Sequence, residues 1–287
     1  MCNLKEKFQL AKQEVGEEEF NQHYREVFGK PVLDYVKTIV FNLPEPCYCN
    51  CSYCLDKEII PTVPLWTEDW LRIAKKVMKE FPYVEHITVT GGSIAPYYFN
   101  LLMDYIRELL PEARITWNTN GVKITKYYST SRINYINLHR QSIRDEKNKR
   151  LFRTVHRVLY LDEAKEYFGD KLSIRTVVTE DFDLDEYTGL GLPLFLNRQL
   201  PASDVTDDKF NQVLDKLEIS DSERRRNNQY LTGEYKGVPV RIGVGDSVYS
   251  HIPRREAVFL NVAIVHRSGV VAGTWFEDDK VLLRPLG

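Results

Sequence analysis

Short strand-like segments alternate with helix-like segments from 35 to 217, and this alternation is the strongest constraint on the fold. Strands that alternate with helices are typical of parallel βαβ units, because each helix carries the chain back across the sheet. Several of the strand segments lack a regular polar alternation, which indicates a sheet buried on both faces. We therefore predict an α/β fold, a partial (β/α)6 barrel, with a doubly wound sheet as the alternative.

The individual segments follow from residue types and end signals. Runs rich in β-branched and aromatic residues predict strands at 35–43, 86–92, 113–121, 133–140, 172–180 and 192–200. Amphipathic runs predict helices at 67–81, 96–110, 145–159 and 207–217. Thr67 is the expected N-cap of the first of these helices, and Pro96 stands near the start of the second. A short helix or turn is expected over 184–190.

The chain changes character at both ends of the predicted barrel. We expect three parts, namely a charged N-terminal helical segment at 1–34, the barrel at 35–217 and a β-rich C-terminal cap at 218–287. The cap is predicted from strand-like runs at 237–245, 257–276 and 278–286. A Ser-Gly turn divides the second of these runs, and Trp275 is expected to belong to the core.

Charge and hydropathy limit the partners of the protein. The 287 residues carry a formal net charge of −2, which argues against a surface built for nucleic acid or another polyanion. A solvated helix face explains the basic run ERRRNN at 223–228. The N-terminus lacks the apolar core of a signal peptide, and no run approaches the roughly 18 apolar residues of a membrane span. We predict a cytoplasmic protein without a membrane partner.

Four of the five cysteines stand within eight positions, directly after the first predicted strand. In a reducing cytoplasm, clustered thiols are more often metal ligands than disulfides, and a disulfide across so short a loop would constrain little chain entropy. Four thiolates are enough for a tetrahedral zinc ion. Three of them, Cys47, Cys51 and Cys54 at C-x3-C-x2-C spacing, are enough for a [4Fe–4S] cluster with one iron left open. Catalytic groups of α/β barrels gather at the carboxyl ends of the strands, where this loop would lie.

This cysteine pattern, with Tyr53 before the last cysteine, resembles the radical S-adenosylmethionine (radical SAM) superfamily. VTGGS at 89–93 is similar to the Gly-Gly-Glu type motif of that family, and TWNTNG at 116–121 to its TNG motif. INLHRQS at 136–142 and IRTVVTE at 174–180 stand where its fourth and fifth strands contribute ribose and carboxylate contacts.

The resemblance covers roughly 35–200. At its end, LPLFLNRQLPAS (192–203) resembles the sixth strand of members related to cyclic pyranopterin synthesis. The resemblance to the superfamily implies that Cys47, Cys51 and Cys54 are the ligands of the cluster. The cofactor-binding residues that it implies are Tyr53, Gly91, Gly92, Ser93, Asn118, Asn120, His139 and Arg175.

Plainer interpretations of these residues stay open. The Gly-Gly and Asn-Gly pairs are also ordinary turn signals, and His139 is also compatible with a polar residue at a strand end. Arg175 and Arg198 stand on otherwise apolar strands, where a buried arginine needs a partner. Both arginines are candidates for binding an anionic group, and Arg140 and Asn148 are weaker ones. His139 and Arg198 are the catalytic candidates.

The sequence departs from the family pattern at three positions. Ser93 replaces the common acidic residue after the glycines and would accept a hydrogen bond from an ammonium group more weakly. His139 stands where many relatives have a serine. Cys49 is an extra thiol, which we expect to point away from the cluster. Cys2 is expected to be an ordinary N-terminal residue, and without a cysteine after Cys54 the C-terminal extension has no ligands for a second cluster.

The resemblance implies an enzyme that reductively cleaves S-adenosylmethionine at the cluster to a 5′-deoxyadenosyl radical, which takes hydrogen from a substrate. We expect a small polar substrate, with a nucleotide or modified-base precursor as the first choice, and an isomerisation or rearrangement. An electron donor such as a flavodoxin or ferredoxin is an expected partner. The alternatives are an activase that places a glycyl radical on a partner protein, or a zinc-binding structural or interaction protein.

Overall fold

The computed structural model describes residues 36–54, 64–198, 204–220, 230–243, 249–251, 258–260, 262–273 and 281–283. The predicted N-terminal helix, Cys2, the basic run at 223–228 and Trp275 lie outside these ranges.

The described chain contains strands and helices in the expected alternation. The strands are β1 Thr38–Asn42, β2 His86–Thr90, β3 Arg114–Thr119, β4 Tyr135–His139, β5 Leu172–Val178, β6 Leu194–Arg198, β7 Tyr230–Tyr235, β8 Val238–Gly243, β9 Tyr249–His251, β10 Val258–Leu260, β11 Val262–Val265, β12 Val271–Ala272 and β13 Val281–Leu283. The helices are α1 Thr67–Glu80, α2 Pro96–Leu109, α3 Asp145–Phe152, α4 Leu161–Phe168 and α5 Asp204–Lys216. Short 3-10 helices cover Gly169–Lys171 and Leu184–Tyr187.

All six predicted barrel strands are present, and two predicted helix details are wrong. Thr67 is the first residue of α1, since Trp66 occupies the N-cap position. The helix predicted over 145–159 ends at Phe152, because Arg153 adopts a left-handed conformation with φ 48°. A further helix, α4, begins after Tyr160, whose backbone N–H donates to the Glu163 carboxylate at 2.9 Å.

The described residues form two compact units that interleave along the chain. The described residues of the first unit lie within 36–45, 64–115 and 249–283, and those of the second within 46–54 and 116–243. Two of the strands predicted in the C-terminal cap, β8 and β11, pair with strands predicted in the barrel, β6 and β1. The predicted domain boundaries stay a prediction.

In the first unit, β1 lies between β2 and β11 and pairs in parallel with both. Its residues Ile39 and Phe41 are fully buried. Helix α1 buries Trp70, whose ring meets Phe41 edge to face at 5.8 Å and whose indole N–H donates to the His266 carbonyl at 2.9 Å. The indole therefore contributes both apolar area and a satisfied polar group to the core.

In the second unit, the strand order is β3, β4, β5, β6, β8 and β7, and all neighbours except β7 and β8 are parallel. Residues of β5 alternate between fully buried and half-buried. Leu172, Ile174, Thr176 and Val178 form the buried face, and Ser173, Arg175 and Val177 form the other. This strand thus separates an apolar layer from a polar face.

Across the ranges that the structure describes, we find no helix with the length and hydrophobicity of a transmembrane segment.

A tight turn at Gly91 and Gly92 follows β2 in the first unit. Both residues have positive φ angles, 66° and 25°. A Cβ atom on Gly92 would stand 2.3 Å from the carbonyl oxygens of Leu43 and Glu45. Those oxygens belong to the backbone that follows β1, so they cannot move aside as the end of a flexible side chain could. The turn therefore requires glycine for its conformation and for its space.

We predict that Gly92→Ala lowers the free energy of unfolding by about 3 kcal/mol or more, since it combines backbone strain with a clash against two carbonyls. Gly189→Ala is the matched control, because Gly189 also has a positive φ, 86°, but nothing lies within 4 Å of its added Cβ. The control should lose only about 1 kcal/mol. Urea denaturation of the three proteins measures the difference, and equal losses would contradict the steric argument.

Candidate active site

The cysteine loop, residues 46–54, belongs to the second unit and is fixed by its backbone and by apolar packing. The Asn50 N–H donates to the Phe152 carbonyl at 2.8 Å, and the Cys54 N–H donates to the Cys51 carbonyl at 3.4 Å. Cys51 is buried with an apolar group that consists of Val122, Phe152 and Val158. Tyr48, Cys49, Tyr53 and Cys54 pack against this group. Three of the four thiols remain half-buried, so the loop is anchored on one side only.

The side chain of Asn120, in the TNG motif, contacts two of the sulfurs. Its Nδ2 donates to Cys49 Sγ at 3.1 Å and to Cys47 Sγ at 3.4 Å. Its Oδ1 accepts from the Val122 N–H at 2.9 Å, which fixes the amide orientation. The Cys49 N–H also donates to Cys47 Sγ at 3.4 Å. Donors aimed at sulfur stabilise the thiolate form, which is the form that binds metals.

The protonation of Cys49 and Cys51 is linked by a hydrogen bond. The bond from Cys49 lowers the pKa of Cys51, although burial opposes the shift. The pKa of Cys49 is raised by its hydrogen bonds to Cys47 and Cys51, and by burial. Cys49 therefore keeps its proton while Cys51 loses one more easily. The Cys49 thiol is hydrogen-bonded to Cys47 and Cys51, and the expectation that it points away from the cluster stays a prediction.

Within the described ranges, no three Cys, His, Asp or Glu side chains converge on a position that would hold a single metal ion. The thiols of Cys47, Cys49, Cys51 and Cys54 form no disulfide with one another.

Tyr53 and His139 form the edge of the loop. The Tyr53 hydroxyl is hydrogen-bonded to His139 Nε2 at 3.0 Å, and the His139 ring packs against Phe152 at 5.7 Å. Burial, together with the positive charges of Arg175 and Arg140, lowers the pKa of His139 to about 3. The imidazole is therefore neutral near pH 7.

Arg140 is fully buried directly after β4 and organises this end of the second unit. Its Nη1 donates to the carbonyls of Asn120 and His139, each at 3.0 Å, and its Nη2 donates to the Leu159 carbonyl. The Asp145 carboxylate lies 3.8 Å from its Nε. Burial lowers the pKa of Arg140 to about 10, so the guanidinium stays charged near pH 7. One side chain thus fixes the backbone under both Asn120 and His139.

Asn148, the other weak candidate, is also fully buried. Its Oδ1 accepts from the N–H groups of Gln141 and Ser142, at 2.8 and 3.1 Å, and its Nδ2 donates to the carbonyls of Ser142 and Arg144. These bonds assign Asn148 to the structure of the loop that follows β4.

Polar side chains cover the half-buried face of the sheet in the second unit. Asn137 Nδ2 donates to Asn118 Oδ1 at 2.7 Å, and Ser173 Oγ donates to Asn137 Oδ1 at 2.5 Å. Further along the sheet, Arg175 Nη2 donates to Asn197 Oδ1 at 3.0 Å. The predicted residues Asn118, His139 and Arg175 therefore belong to one polar face.

This face continues across β6 and β8 with an aromatic ring and a second arginine. Arg175 is in register with Phe195, and Phe195 with Arg241. The guanidinium carbon of Arg241 lies 5.2 Å from the Phe195 ring centroid, and that of Arg175 lies 5.8 Å from it. Both distances are within the range of cation–π contacts. We call Arg175, Phe195 and Arg241 the arginine row.

The environment of Arg198 differs from the buried one that its apolar strand predicted. Its side chain is 41% exposed and forms a two-point ion pair with Asp207, in which Nε donates to Oδ1 at 2.7 Å. The premise of a buried arginine in need of a partner is therefore wrong, because Arg198 stands at the end of β6 and reaches α5. The catalytic prediction for Arg198 loses the argument on which it was based.

In the first unit, the glycine turn is joined to the chain that follows β1. Glu45 and Ser93 exchange two backbone hydrogen bonds, at 2.7 and 3.1 Å. Their side chains also meet, since Ser93 Oγ donates to Glu45 Oε2 at 3.4 Å. The Ala95 N–H donates to Glu45 Oε1 at 3.3 Å. A carboxylate thus stands beside the serine that replaces the family's acidic residue.

The model of the radical SAM superfamily matches residues 42–186, which is half of the chain. The match includes the cysteine loop, the glycine turn, Asn120, His139 and Arg175. The chain belongs to the radical SAM superfamily. Membership confirms the cofactors predicted from the sequence, a [4Fe–4S] cluster and S-adenosylmethionine, and confirms that the protein is a radical SAM enzyme.

Two curated relatives of this radical SAM protein are GTP 3′,8-cyclases from Clostridium perfringens strains SM101 and 13. Each is 26% identical over 178 residues, which cover 58% of this chain and 53% of the relative. The chain thus spans about half the length of the curated relatives that it matches.

Solved radical SAM structures share the fold. Streptococcus suis SuiB bound to S-adenosylmethionine matches with a TM-score of 0.53 and 14% identity over 90% of this chain and 64% of SuiB. SuiB bound to the precursor peptide SuiA matches with a TM-score of 0.55 and 13% identity over 90% of this chain and 63% of SuiB. These likenesses confirm the partial α/β barrel that the sequence predicted.

Several residues of interest were not predicted from the sequence. The one sequence signal that could have identified Glu45 is its position, two residues before the first cysteine of the loop. Phe195 and Arg241 belong to no sequence motif. Only the strand register shows that they align with Arg175.

We predict that Arg140→Met lowers the free energy of unfolding by about 3–5 kcal/mol, because three carbonyls lose their donor and Asp145 loses its counterion. Arg140→Lys should also destabilise, since one ammonium cannot reproduce the guanidinium fork. Arg157→Met is the control, because Arg157 forms an exposed ion pair with Glu163 and should change stability by less than about 1 kcal/mol. Chemical denaturation measures these losses. If Arg140→Met loses no more free energy of unfolding than the control, the structural role of Arg140 is refuted.

Proposed function

We propose that this protein cleaves S-adenosylmethionine reductively at a [4Fe–4S] cluster held by Cys47, Cys51 and Cys54. The observation that carries the proposal is a loop with cysteines at C-x3-C-x2-C spacing that is anchored by Phe152 and in which Cys47 Sγ receives two N–H donors. This donor set fits the cluster, because iron–sulfur clusters take thiolate ligands and hydrogen bonds to their sulfurs. When bound, the cluster and S-adenosylmethionine supply the reductive cleavage of the S–C5′ bond and a radical that takes hydrogen from substrate.

In this proposal, residues of the chain hold the cluster and S-adenosylmethionine and shield them from water. Asn120 orients Cys47 through its Nδ2, and Arg140 holds Asn120 in place through its carbonyl. Phe152 and its apolar neighbours exclude water from one side of the loop. Tyr53, hydrogen-bonded to a neutral His139, offers an aromatic surface for the adenine.

The remaining predicted residues receive roles for S-adenosylmethionine. Gly91 and Gly92 are proposed to let the backbone approach the methionyl group closely, since glycine places no side chain between the backbone and a ligand. Asn118 and His139 are proposed to contact the ribose, and Arg175 the carboxylate. Each of these groups has the donors or acceptors that its role needs.

We predict that replacement of any one of Cys47, Cys51 and Cys54 by alanine abolishes 5′-deoxyadenosine formation from S-adenosylmethionine. The protein is purified and reconstituted without oxygen, reduced with dithionite, and assayed for the product and for bound iron and sulfide. Cys49→Ala is the matched control, because it removes a thiol from the same loop but not from the C-x3-C-x2-C set, and it should keep both cluster and product.

Loss of the cluster in Cys49→Ala, with retention in Cys51→Ala, would overturn this ligand assignment. Zinc in place of iron, with no product from the wild-type protein, would overturn the radical function and support the structural zinc alternative.

We further propose a small substrate that carries at least two negative charges. The arginine row supports this class, since Arg241 adds a second guanidinium to the face that carries Arg175, on a strand roughly 9–10 Å away by sheet spacing. One acidic side chain, Glu234 opposite Pro239, shares this face in the described strands of the unit. The curated relatives are named for GTP, whose triphosphate belongs to this class. The isomerisation or rearrangement, the electron donor such as a flavodoxin or ferredoxin, and the cytoplasmic location expected from the sequence stay part of the proposal.

We predict that the reconstituted protein binds inorganic triphosphate and GTP, and that Arg241→Gln weakens both at least about tenfold, as expected for a lost charge-assisted bond. Isothermal titration measures the affinity. Arg157→Gln removes an equal charge from the same unit and should bind like the wild-type protein. Unchanged binding in Arg241→Gln, or no binding of either probe by the wild-type protein, would contradict the anionic substrate class.

A further inference from the structure

The cysteine loop is joined to the surface of the second unit by the segment that follows α3. The Asn50 N–H donates to the Phe152 carbonyl at 2.8 Å. The Tyr48 ring, which stands between the first two cysteines of the loop, meets the His156 ring edge to face at 5.3 Å. A partner that binds on the outside of this segment therefore lies next to the loop that is proposed to hold the cluster.

Basic side chains are concentrated on the outside of the segment and of the helix before it. Helix α3 turns Asn148 and Phe152 inward, and both are fully buried. Residues four positions apart lie on the same face of a helix, so the last turn presents its other side chains to solvent. Four exposed residues form what we call the basic rim, namely Lys123, Lys149, Arg150 and Arg153.

Lys123 belongs to this surface although it comes from another part of the chain. Its N–H donates to the Arg157 carbonyl at 3.3 Å, which fixes its backbone to the segment after α3. Its ammonium lies 3.9 Å from the Tyr48 ring centroid, within the range of a cation–π contact. The basic rim thus extends from the end of α3 to the cysteine loop itself.

The charges of the basic rim are not neutralised by the described residues around it. Nearby acidic side chains lie against other basic groups, in the pairs Arg157–Glu163, Lys147–Glu186 and Arg140–Asp145. Glu146 accepts from the Tyr160 hydroxyl at 3.4 Å. Among the residues that the structure describes, no acidic side chain forms an ion pair with the basic rim. A protein with a net charge of −2 therefore carries a local positive surface beside its cysteine loop.

An exposed apolar side chain lies on the same segment. Val155 is 90% exposed, although Thr154 before it is buried and His156 after it is half-buried. An apolar residue bordered by polar and charged ones is typical of a protein–protein contact, and electron-transfer contacts are among the smallest of these. The surface thus has the composition of a small docking site.

We propose that the basic rim and Val155 form the docking surface for an acidic electron-carrier protein that reduces the cluster. The inference rests on the proposed function, because reductive cleavage uses one electron for each S-adenosylmethionine. The carrier loses the one electron that the cluster gains, and no bond forms between the two proteins. Opposite charges steer such a carrier to the side of the unit where the loop lies. This position favours a carrier over a nucleic acid, whose binding does not require contact with the cysteine loop.

The test mixes the reconstituted holoenzyme with the hydroquinone of an acidic flavodoxin without oxygen and measures the rate constant of cluster reduction by stopped flow. Arg150→Gln/Arg153→Gln removes two charges of the basic rim and should lower this rate constant about tenfold or more at low ionic strength. Added salt should slow the wild-type reaction, because it screens exposed charges.

Lys216→Gln/Lys236→Gln is the matched control. It removes two charges from exposed ion pairs with Asp185 in the same unit, and its rate constant should stay within about twofold of the wild-type value. A second rim variant, Lys123→Gln/Lys149→Gln, leaves Arg150 and Arg153 in place and should show a loss like that of the first.

Reduction by dithionite separates docking from damage to the site. Dithionite is a small reductant that needs no docking surface, so all variants should be reduced by it at the wild-type rate and should bind iron and sulfide in wild-type amounts. If one rim variant fails to bind the cluster, the other still decides the test.

Four outcomes would overturn the inference. Flavodoxin could fail to reduce the wild-type protein, it could reduce both rim variants at the wild-type rate, or the rim variants could lose reduction by dithionite to the same extent. In the fourth, an RNA duplex binds the wild-type protein and not the rim variants, while flavodoxin reduces all of them equally. If the wild-type protein forms 5′-deoxyadenosine with dithionite in any of these cases, the proposed function stands and only the docking surface fails. A wild-type protein that binds no iron–sulfur cluster would overturn both.

Discussion

The buried guanidinium of Arg140 is the constraint on which the second unit depends. A full charge without solvent is unfavourable unless it is paired and hydrogen-bonded, and here three carbonyls accept from its Nη atoms while the Asp145 carboxylate lies 3.8 Å from its Nε. Those carbonyls belong to three separate segments, and two of them carry site residues, Asn120 and His139. Gly121 suits the turn beside Arg140, since its φ is 77° and a Cβ there would lie 3.1 Å from a Leu138 methyl group and 3.3 Å from Leu159 Cβ. Fold stability and site geometry therefore rest on the same side chain.

The cysteine loop is held in place by contacts with other segments more than by contacts within the loop. Asn120 reaches two sulfurs from the end of β3, and Phe152 supplies both a backbone acceptor and an apolar wall. Such support is typical of metal sites, whose outer contacts orient the ligands and tune the bound group. The extra thiol of Cys49 fits this pattern as a proton-bearing neighbour that donates to Cys51.

Charge is distributed differently on the two units. In the first unit, the Glu45 carboxylate stands beside Ser93 at the glycine turn, whereas the polar face of the second unit presents Arg175 and Arg241, which suit anions. Burial is the main reason that His139 is neutral, and the same positive environment adds to it, since both nearby arginines lower its pKa.

The sequence by itself determined the α/β fold, the barrel strands and the superfamily, because strand periodicity, helix amphipathicity and cysteine spacing are local properties of the chain. It left open how far helix α3 runs, since the left-handed Arg153 that ends it carries no glycine signal. Only the tertiary structure decided that Glu45 stands beside Ser93, that Arg241 aligns with Phe195, and that Arg198 is an exposed ion pair. Those relations join residues far apart in sequence, and they depend on strand register and on which backbone groups are left without partners, neither of which a linear pattern encodes.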